Sequence, residues 1–129
     1  MILLDTNAAL WLYHDSRDLG ALSRRRIGRA TRVFYSAATV LEITIKHMLG
    51  RLPLPGGQDF PSVFESSGLV ELPLTARHAV MLAAFPALAR HDPFDRMLLA
   101  QARAEGLDLI TSDATMLSLD EPWIIDARR

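Results

Sequence analysis

The sequence has 129 residues, no cysteine and a single lysine, Lys46. The absence of cysteine excludes a disulfide framework, a thiolate zinc site and a cysteine nucleophile. No apolar run approaches the roughly 18 residues that a membrane span needs, and Met1 to Asp5 lacks the basic region of a signal peptide. A net charge of −1 excludes a strongly basic nucleic-acid coat. We therefore expect a cytoplasmic protein without a membrane segment.

Apolar residues make up 50 % of the chain, which is typical of a globular protein, and we expect residues 1–129 to form a single domain. Short apolar runs predict strands at 2–4, 32–35, 69–72, 107–111 and 123–125. Between them, helices are predicted at 8–13, 19–30, from 36 or 39 to 48, 60–65, 76–85, 93–105 and 114–119. This alternation predicts a three-layer α/β/α fold with a central, mainly parallel sheet of about five strands.

Four carboxylates fall at the ends of these predicted elements. Asp5 follows the first strand, Asp113 follows the fourth, Glu42 lies early in the third helix and Asp95 opens the sixth. Ligands of open parallel sheets bind at the carboxyl ends of the strands, so all four side chains can meet at one edge. Each also has a structural explanation: Thr39 and Glu42 fit a capping box, and the three aspartates stand at helix starts.

A cluster of carboxylates needs a cation, because two of them about 4 Å apart repel by about 4 kcal/mol at an effective dielectric of about 20. Hard oxygen ligands select Mg²⁺ or Mn²⁺ rather than zinc. Such ions bind through a few carboxylates together with substrate phosphate. The acidic set therefore predicts metal-assisted hydrolysis of a phosphodiester.

Four segments of the sequence resemble PIN-domain ribonucleases, specifically the VapC-type toxins of bacterial and archaeal toxin–antitoxin pairs. They are LLDTNAALWL, SAATVLEITIKHMLGRLPLP, HDPFDRMLLAQA and LITSD, and together they span nearly the whole chain. The resemblance implies a PIN-like fold and an endoribonuclease that depends on Mg²⁺ or Mn²⁺. Such an enzyme would cleave RNA with a metal-activated water and leave 5′-phosphate and 3′-hydroxyl ends.

The same resemblance implies roles for individual residues. Asp5 and Asp95 match direct metal ligands, and Glu42 and Asp113 match residues that ligate the ion or hold its waters. Supporting groups that would orient this acidic centre fall at Thr6, Asn7, Thr111 and Ser112. Asp92 is shared by only part of the family, and we interpret it first as a helix N-cap.

The resemblance further implies a homodimer and a VapB-type antitoxin, whose C-terminal segment covers the acidic groove and often presents an arginine to it. Candidates for the apolar part of that groove are Trp11, Leu12, Tyr13, Met48, Leu49, Leu52 and Leu54. Each of these residues fits an ordinary core position equally well.

Three other functions are compatible with parts of the sequence. A phosphoacceptor receiver domain needs an acidic pair after the first strand and a lysine after the last, whereas Thr6 follows Asp5 and Lys46 lies on a helix. A non-catalytic PIN-fold binding module predicts a broken acidic set, whereas all four positions are filled. A metal-independent ribonuclease needs paired imidazoles. We expect surface or capping roles for His14, His47, His78 and His91.

Overall fold

A computed structural model describes all of residues 1–129. The strands are β1 Ile2–Leu4, β2 Val33–Ser36, β3 Val70–Leu72, β4 Asp108–Thr111 and β5 Ile124–Asp126. The helices are α1 Thr6–Tyr13, α2 Ala21–Arg29, α3 Ala37–Met48, α4 Ser62–Ser66, α5 Ala76–Met81, α6 Pro93–Glu105 and α7 Ala114–Leu117. Short 3₁₀ turns lie at Gly57–Asp59, Leu82–Ala84 and Pro86–Leu88. Every one of these helices is too short or too polar to cross a membrane.

The five strands form one sheet in the order β3-β2-β1-β4-β5, and all four pairings are parallel. β1 is the central strand, with Leu3 opposite Phe34 of β2 on one side and Leu109 of β4 on the other. The predicted α/β fold with a five-stranded parallel sheet is therefore confirmed. Because β2, β1 and β4 are neighbours, their carboxyl ends lie side by side at one edge of the sheet.

The sheet has an apolar core on each face. Side chains alternate along a strand, so Leu4 enters one cluster with Phe64 of α4, and Leu3 enters the other with Leu98 of α6. Helices α1, α3 and α4 contribute to the first cluster, and α6 and α7 contribute to the second. Burial on both faces explains why β1 reads as a continuous apolar run. The predicted three layers are confirmed.

At the carboxyl edge, α1 begins at Thr6 rather than at residue 8, and α3 begins after Ser36, the first of its two predicted starts. The N-cap of α3 is Ser36, whose hydroxyl accepts a hydrogen bond of 2.9 Å from the backbone N–H of Ala38. Thr39 therefore lies inside the helix, and the capping box predicted for Thr39 and Glu42 does not form. Asp92 caps α6 as predicted, accepting from the backbone N–H groups of Phe94 and Asp95 at 2.8 and 3.2 Å.

Helix α5 is shorter than predicted. It ends at Met81, and the chain continues as a 3₁₀ turn over Leu82–Ala84. Phe85 precedes a proline and has φ −125° and ψ 62°, which is outside the helical region. At the other end of α5, His78 forms a capping box with Thr75, which is the kind of role we predicted for a histidine.

Candidate active site

Asp5 is held by the ends of β1 and β4 together. Its Oδ1 accepts a hydrogen bond of 2.7 Å from the backbone N–H of Ala8, which makes Asp5 the N-cap of α1. Its Oδ2 accepts from the Thr111 hydroxyl at 2.7 Å and from the backbone N–H of Ser112 at 3.1 Å. Only 3 % of Asp5 is exposed. Burial raises the pKa of Asp5, hydrogen bonds partly offset this, and the charge of Glu42 adds to it.

Thr111 connects Asp5 to Asp113. The single hydroxyl hydrogen of Thr111 is donated to Asp5, and the same oxygen accepts from the backbone N–H of Asp113 at 3.0 Å. Asp113 in turn caps α7, because its Oδ1 accepts from the backbone N–H of Met116 at 2.9 Å. The Oδ2 atom of Asp113 is left to face the neighbouring side chains of the site.

Glu42 is tied to the residue that follows Asp5. Its Oε1 accepts a hydrogen bond of 2.7 Å from the Thr6 hydroxyl, and the Thr39 hydroxyl lies 3.1 Å from the Thr6 oxygen. Since the hydrogen of Thr6 is used by Glu42, the hydroxyl of Thr39 is the donor of that second bond. Glu42 Oε2 accepts from Lys46 Nζ at 2.6 Å, one helical turn later. The only lysine of the chain therefore balances the charge of Glu42.

Asp95 and Asp113 converge with an imidazole. His91 Nε2 lies 3.1 Å from Asp113 Oδ2 and 3.5 Å from Asp95 Oδ2, and one ligand atom from each residue lies within 4.8 Å of the others. Burial raises the pKa of Asp95 to about 7, together with the charges of Asp113, Asp92 and Asp5. The carboxyl groups of Asp92, Asp95 and Asp113 are thus close enough at the start of α6 to influence one another.

The carboxyl groups of Asp95 and Asp113 titrate as a pair. Burial opposes ionisation of Asp113, but the backbone N–H of Met116, the charge of His91 and a hydrogen bond from Asp95 lower its pKa below the usual range. Asp113 thus loses its proton first, and Asp95 retains one. A divalent cation beside both groups would replace that proton, so this donor set fits an oxygen-preferring metal ion.

All four predicted acidic residues lie at the carboxyl edge of the sheet, but in two different settings. Asp5 and Glu42 are buried, and each of their carboxylate oxygens accepts a hydrogen bond. Asp95 and Asp113 are partly exposed and form a group of possible ligands with His91. Their roles as metal ligands stay predictions.

The four supporting residues also lie at this edge. Asn7 Nδ2 donates to Ser112 Oγ at 3.2 Å, which joins the start of α1 to the end of β4. Thr6 and Thr111 make the contacts described above. The four predicted supporting positions are thus all in hydrogen-bond contact with the acidic residues or with one another.

His91 is the residue of this site that sequence reasoning missed. We expected a surface or capping role for it, whereas its imidazole faces two carboxylates. The available signal was its position four residues before Asp95, which places both side chains on one side of the helix start. Its contact with Asp113, 22 residues later, depends on the fold.

The seven candidates for the apolar groove are not equivalent. Five are partly buried against the core on the α1 face: Trp11, Leu12, Tyr13, Leu52 and Leu54. Met48 and Leu49, at the end of α3, are 78 % and 60 % exposed. Met48 and Leu49 therefore expose apolar surface that a partner could cover, whereas the other five side chains also pack against the core.

Without divalent ions, the free energy of unfolding is expected to decrease as the pH rises from about 4 to about 7, by about 1 kcal/mol after allowance for solvent screening. The folded protein retains a proton on Asp95 up to about pH 7, whereas the unfolded chain releases it near 3.8. The folded state therefore binds more protons in this window. Urea unfolding at several pH values measures the change of the unfolding free energy with pH, and Asp95→Asn should reduce that change. An equal slope in the variant would contradict this assignment.

Comparison with known proteins shows what the chain is similar to. The family model described as "PIN domain" matches residues 2–122. A comparison with curated protein sequences found no match. A toxin–antitoxin complex from Klebsiella pneumoniae aligns with TM-score 0.68 and 16 % identity over 98 % of each chain. VapBC2 from Rickettsia felis, bound to a DNA fragment from their promoter, aligns with TM-score 0.61 and 14 % identity over 97 % of this chain and 96 % of that one. DNA-bound VapBC from Salmonella typhimurium aligns with TM-score 0.58 and 19 % identity over 96 % of this chain and 94 % of that one.

Proposed function

The chain belongs to the PIN domain family, and from this membership we propose that it is a metal-dependent endoribonuclease, the toxin of a toxin–antitoxin pair. The observation that carries the proposal is the pair formed by Asp95 and Asp113, which lies at the carboxyl edge of the sheet and is joined to Asp5 through Thr111. Residues 1–129 would form one ribonuclease domain that acts in the cytoplasm.

We propose Asp5, Glu42, Asp95 and Asp113 as the catalytic and metal-binding acids. Asp95 and Asp113 would hold Mg²⁺ or Mn²⁺ through oxygens that face solvent. Asp5 Oδ1 accepts one hydrogen bond and so keeps a lone pair for the same ion. When bound, such an ion lowers the pKa of a water and offsets the negative charge of the phosphate.

The other residues of the site hold the acidic side chains in position. Thr111 fixes the carboxylate of Asp5 and the backbone of Asp113 relative to each other, and Thr6 fixes the carboxylate of Glu42. Lys46 pairs with Glu42 at 2.6 Å and balances its charge. The supporting set of Thr6, Asn7, Thr111 and Ser112 therefore serves to orient the acidic centre.

The proposed partners are an RNA substrate, a VapB-type antitoxin and a second copy of the chain. One structural neighbour is a toxin–antitoxin complex and two others are VapBC assemblies, which supports an antitoxin. The exposed Met48 and Leu49 offer apolar surface to it. On α2 and before β2, exposed Arg25, Arg26, Arg29 and Arg32 offer guanidinium groups for RNA phosphates.

The phosphoacceptor alternative loses support from the structure. Lys46 lies inside α3 and pairs with Glu42, far along the chain from the last strand, where a receiver domain would need a lysine. The non-catalytic binding module differs from the proposal only in activity. Cleavage assays therefore decide between the two.

The proposal is tested by incubating the purified protein with end-labelled single-stranded RNA and Mn²⁺ or Mg²⁺. Cleavage to 5′-phosphate and 3′-hydroxyl products is expected, and EDTA should abolish it because the acids need the ion to act. Cleavage that persists in EDTA would contradict metal dependence. A folded protein that cuts none of a panel of structured and unstructured RNAs with either ion would be a binding module.

A further inference from the structure

We propose that His91 is an additional metal ligand of the acidic site, so that this chain binds first-row transition ions such as Co²⁺ in preference to Mg²⁺. The inference rests on the proposed metal-dependent function. It adds an imidazole nitrogen to a ligand set that is otherwise made of carboxylate oxygens.

The fold presents the imidazole from a fixed position. The backbone N–H of His91 donates to the carbonyl of Leu88 at 2.9 Å, in a turn that lies between the 3₁₀ turn Pro86–Leu88 and α6. The next residue, Asp92, caps that helix with its own side chain. His91 is thus held one turn before Asp95, and 22 % of its side chain is exposed.

The distances suit neighbouring ligands of one ion. Metal–oxygen and metal–nitrogen bonds of about 2.1 Å place adjacent ligand atoms of an octahedron about 3 Å apart. His91 Nε2 lies 3.1 Å from Asp113 Oδ2 and 3.5 Å from Asp95 Oδ2. The three ligand atoms lie within 4.8 Å of one another, so an ion between them needs only small side-chain shifts.

An imidazole changes which ions such a site prefers. Mg²⁺ is hard, prefers oxygen and keeps several waters, so it gains little from a nitrogen ligand. Imidazole suits transition ions, and their affinity for mixed nitrogen and oxygen sites increases from Mn²⁺ to Co²⁺ and Ni²⁺. A site built from His91, Asp95 and Asp113 should therefore discriminate between Co²⁺ and Mg²⁺ more strongly than a purely acidic one.

The competing explanation makes the opposite prediction. If His91 only neutralises the two carboxylates, its ring occupies the side of their Oδ2 atoms that an ion would use. Removing the ring would then strengthen the binding of every divalent ion. The sign of the change in Co²⁺ affinity therefore separates a ligand from a competing partner.

The experiment titrates the full-length protein with Co²⁺ and, separately, with Mg²⁺, following heat and the visible Co²⁺ absorption. His91→Ala should weaken Co²⁺ binding at least about 10-fold and shift the absorption bands, with a much smaller effect on Mg²⁺. His91→Gln should keep a polar contact with Asp113 but lose the preference for Co²⁺. His14→Ala, which removes an exposed histidine, is the matched control and should bind both ions as the unaltered protein does.

Unchanged Co²⁺ affinity and spectrum in both His91 variants would overturn the inference, as would tighter binding of both ions. Thermal melting of each variant shows whether it is folded. A failure of the proposed metal-dependent function is seen in a different variant. If the acidic site binds no metal ion, Asp95→Asn will bind Co²⁺ as tightly as the unaltered protein.

Discussion

Replacing Asp95 by asparagine is expected to lower the rate of RNA cleavage about 1000-fold, the size of effect seen when one preorganised electrostatic group is removed. The amide keeps the shape of the side chain but carries no charge and has a single oxygen. It also removes the desolvation cost that burial imposes on the Asp95 carboxylate and the repulsion from neighbouring carboxylates. The variant should therefore stay folded while it loses activity.

Asp92→Asn is the matched control for this prediction. It makes the same chemical change three residues earlier, and asparagine caps a helix about as well as aspartate does. Asp92 caps α6 through backbone contacts, so cleavage by this variant should remain within a few-fold of the unaltered protein. Single-turnover cleavage rates at saturating Mn²⁺ provide the measurement. Equal activity in Asp95→Asn and Asp92→Asn would show that Asp95 has no catalytic role.

Thr111→Val is expected to destabilise the fold by about 2–3 kcal/mol and to slow cleavage about 10- to 100-fold. Thr111 is fully buried, donates to Asp5 and accepts from the backbone N–H of Asp113. Valine has the same shape, so the change removes two hydrogen bonds without leaving a cavity. It leaves the partly buried backbone N–H of Asp113 without a partner and frees Asp5 to turn relative to Asp113.

Two variants bracket the effect of Thr111→Val. Thr111→Ser keeps the hydroxyl and should restore most of the activity. Thr44→Val removes a hydroxyl that only donates to the carbonyl of Val40 within α3, so its stability should change by less than about 1 kcal/mol. Urea unfolding and cleavage rates measure both quantities. If Thr111→Val behaved like Thr44→Val, the Thr111 hydroxyl would not orient the acids.

Local sequence patterns were sufficient to predict the strands and helices of this chain. The uninterrupted apolar run at 2–4 marked the central buried strand. Asp92 and Gly106 marked the two ends of α6. The end of α5 was missed because the non-helical backbone of Phe85 reflects the following proline and 3₁₀ turn rather than the apolar period. Strand order was beyond local patterns as well, since it depends on which helices pack on each face.

The acidic site was predictable in composition but not in its contacts. Parallel strands bring their carboxyl ends together, which placed Asp5 and Asp113 at one edge. The pattern of Thr39 and Glu42 looked like a capping box, yet Glu42 bonds to Thr6, a residue 36 positions away. His91 was missed for the same reason, because its partner Asp113 is distant in sequence. Contacts between residues far apart in the chain require the folded sheet.

Because β1 lies between β2 and β4, the acidic site can assemble only late in the synthesis of the chain. Asp5 leaves the ribosome among the first residues, but two of its three hydrogen-bond donors come from Thr111 and Ser112. Until the segment containing β4 has emerged and inserted beside β1, a growing polypeptide has no assembled acidic centre. The proposed ribonuclease would therefore lack its assembled site for most of its own synthesis.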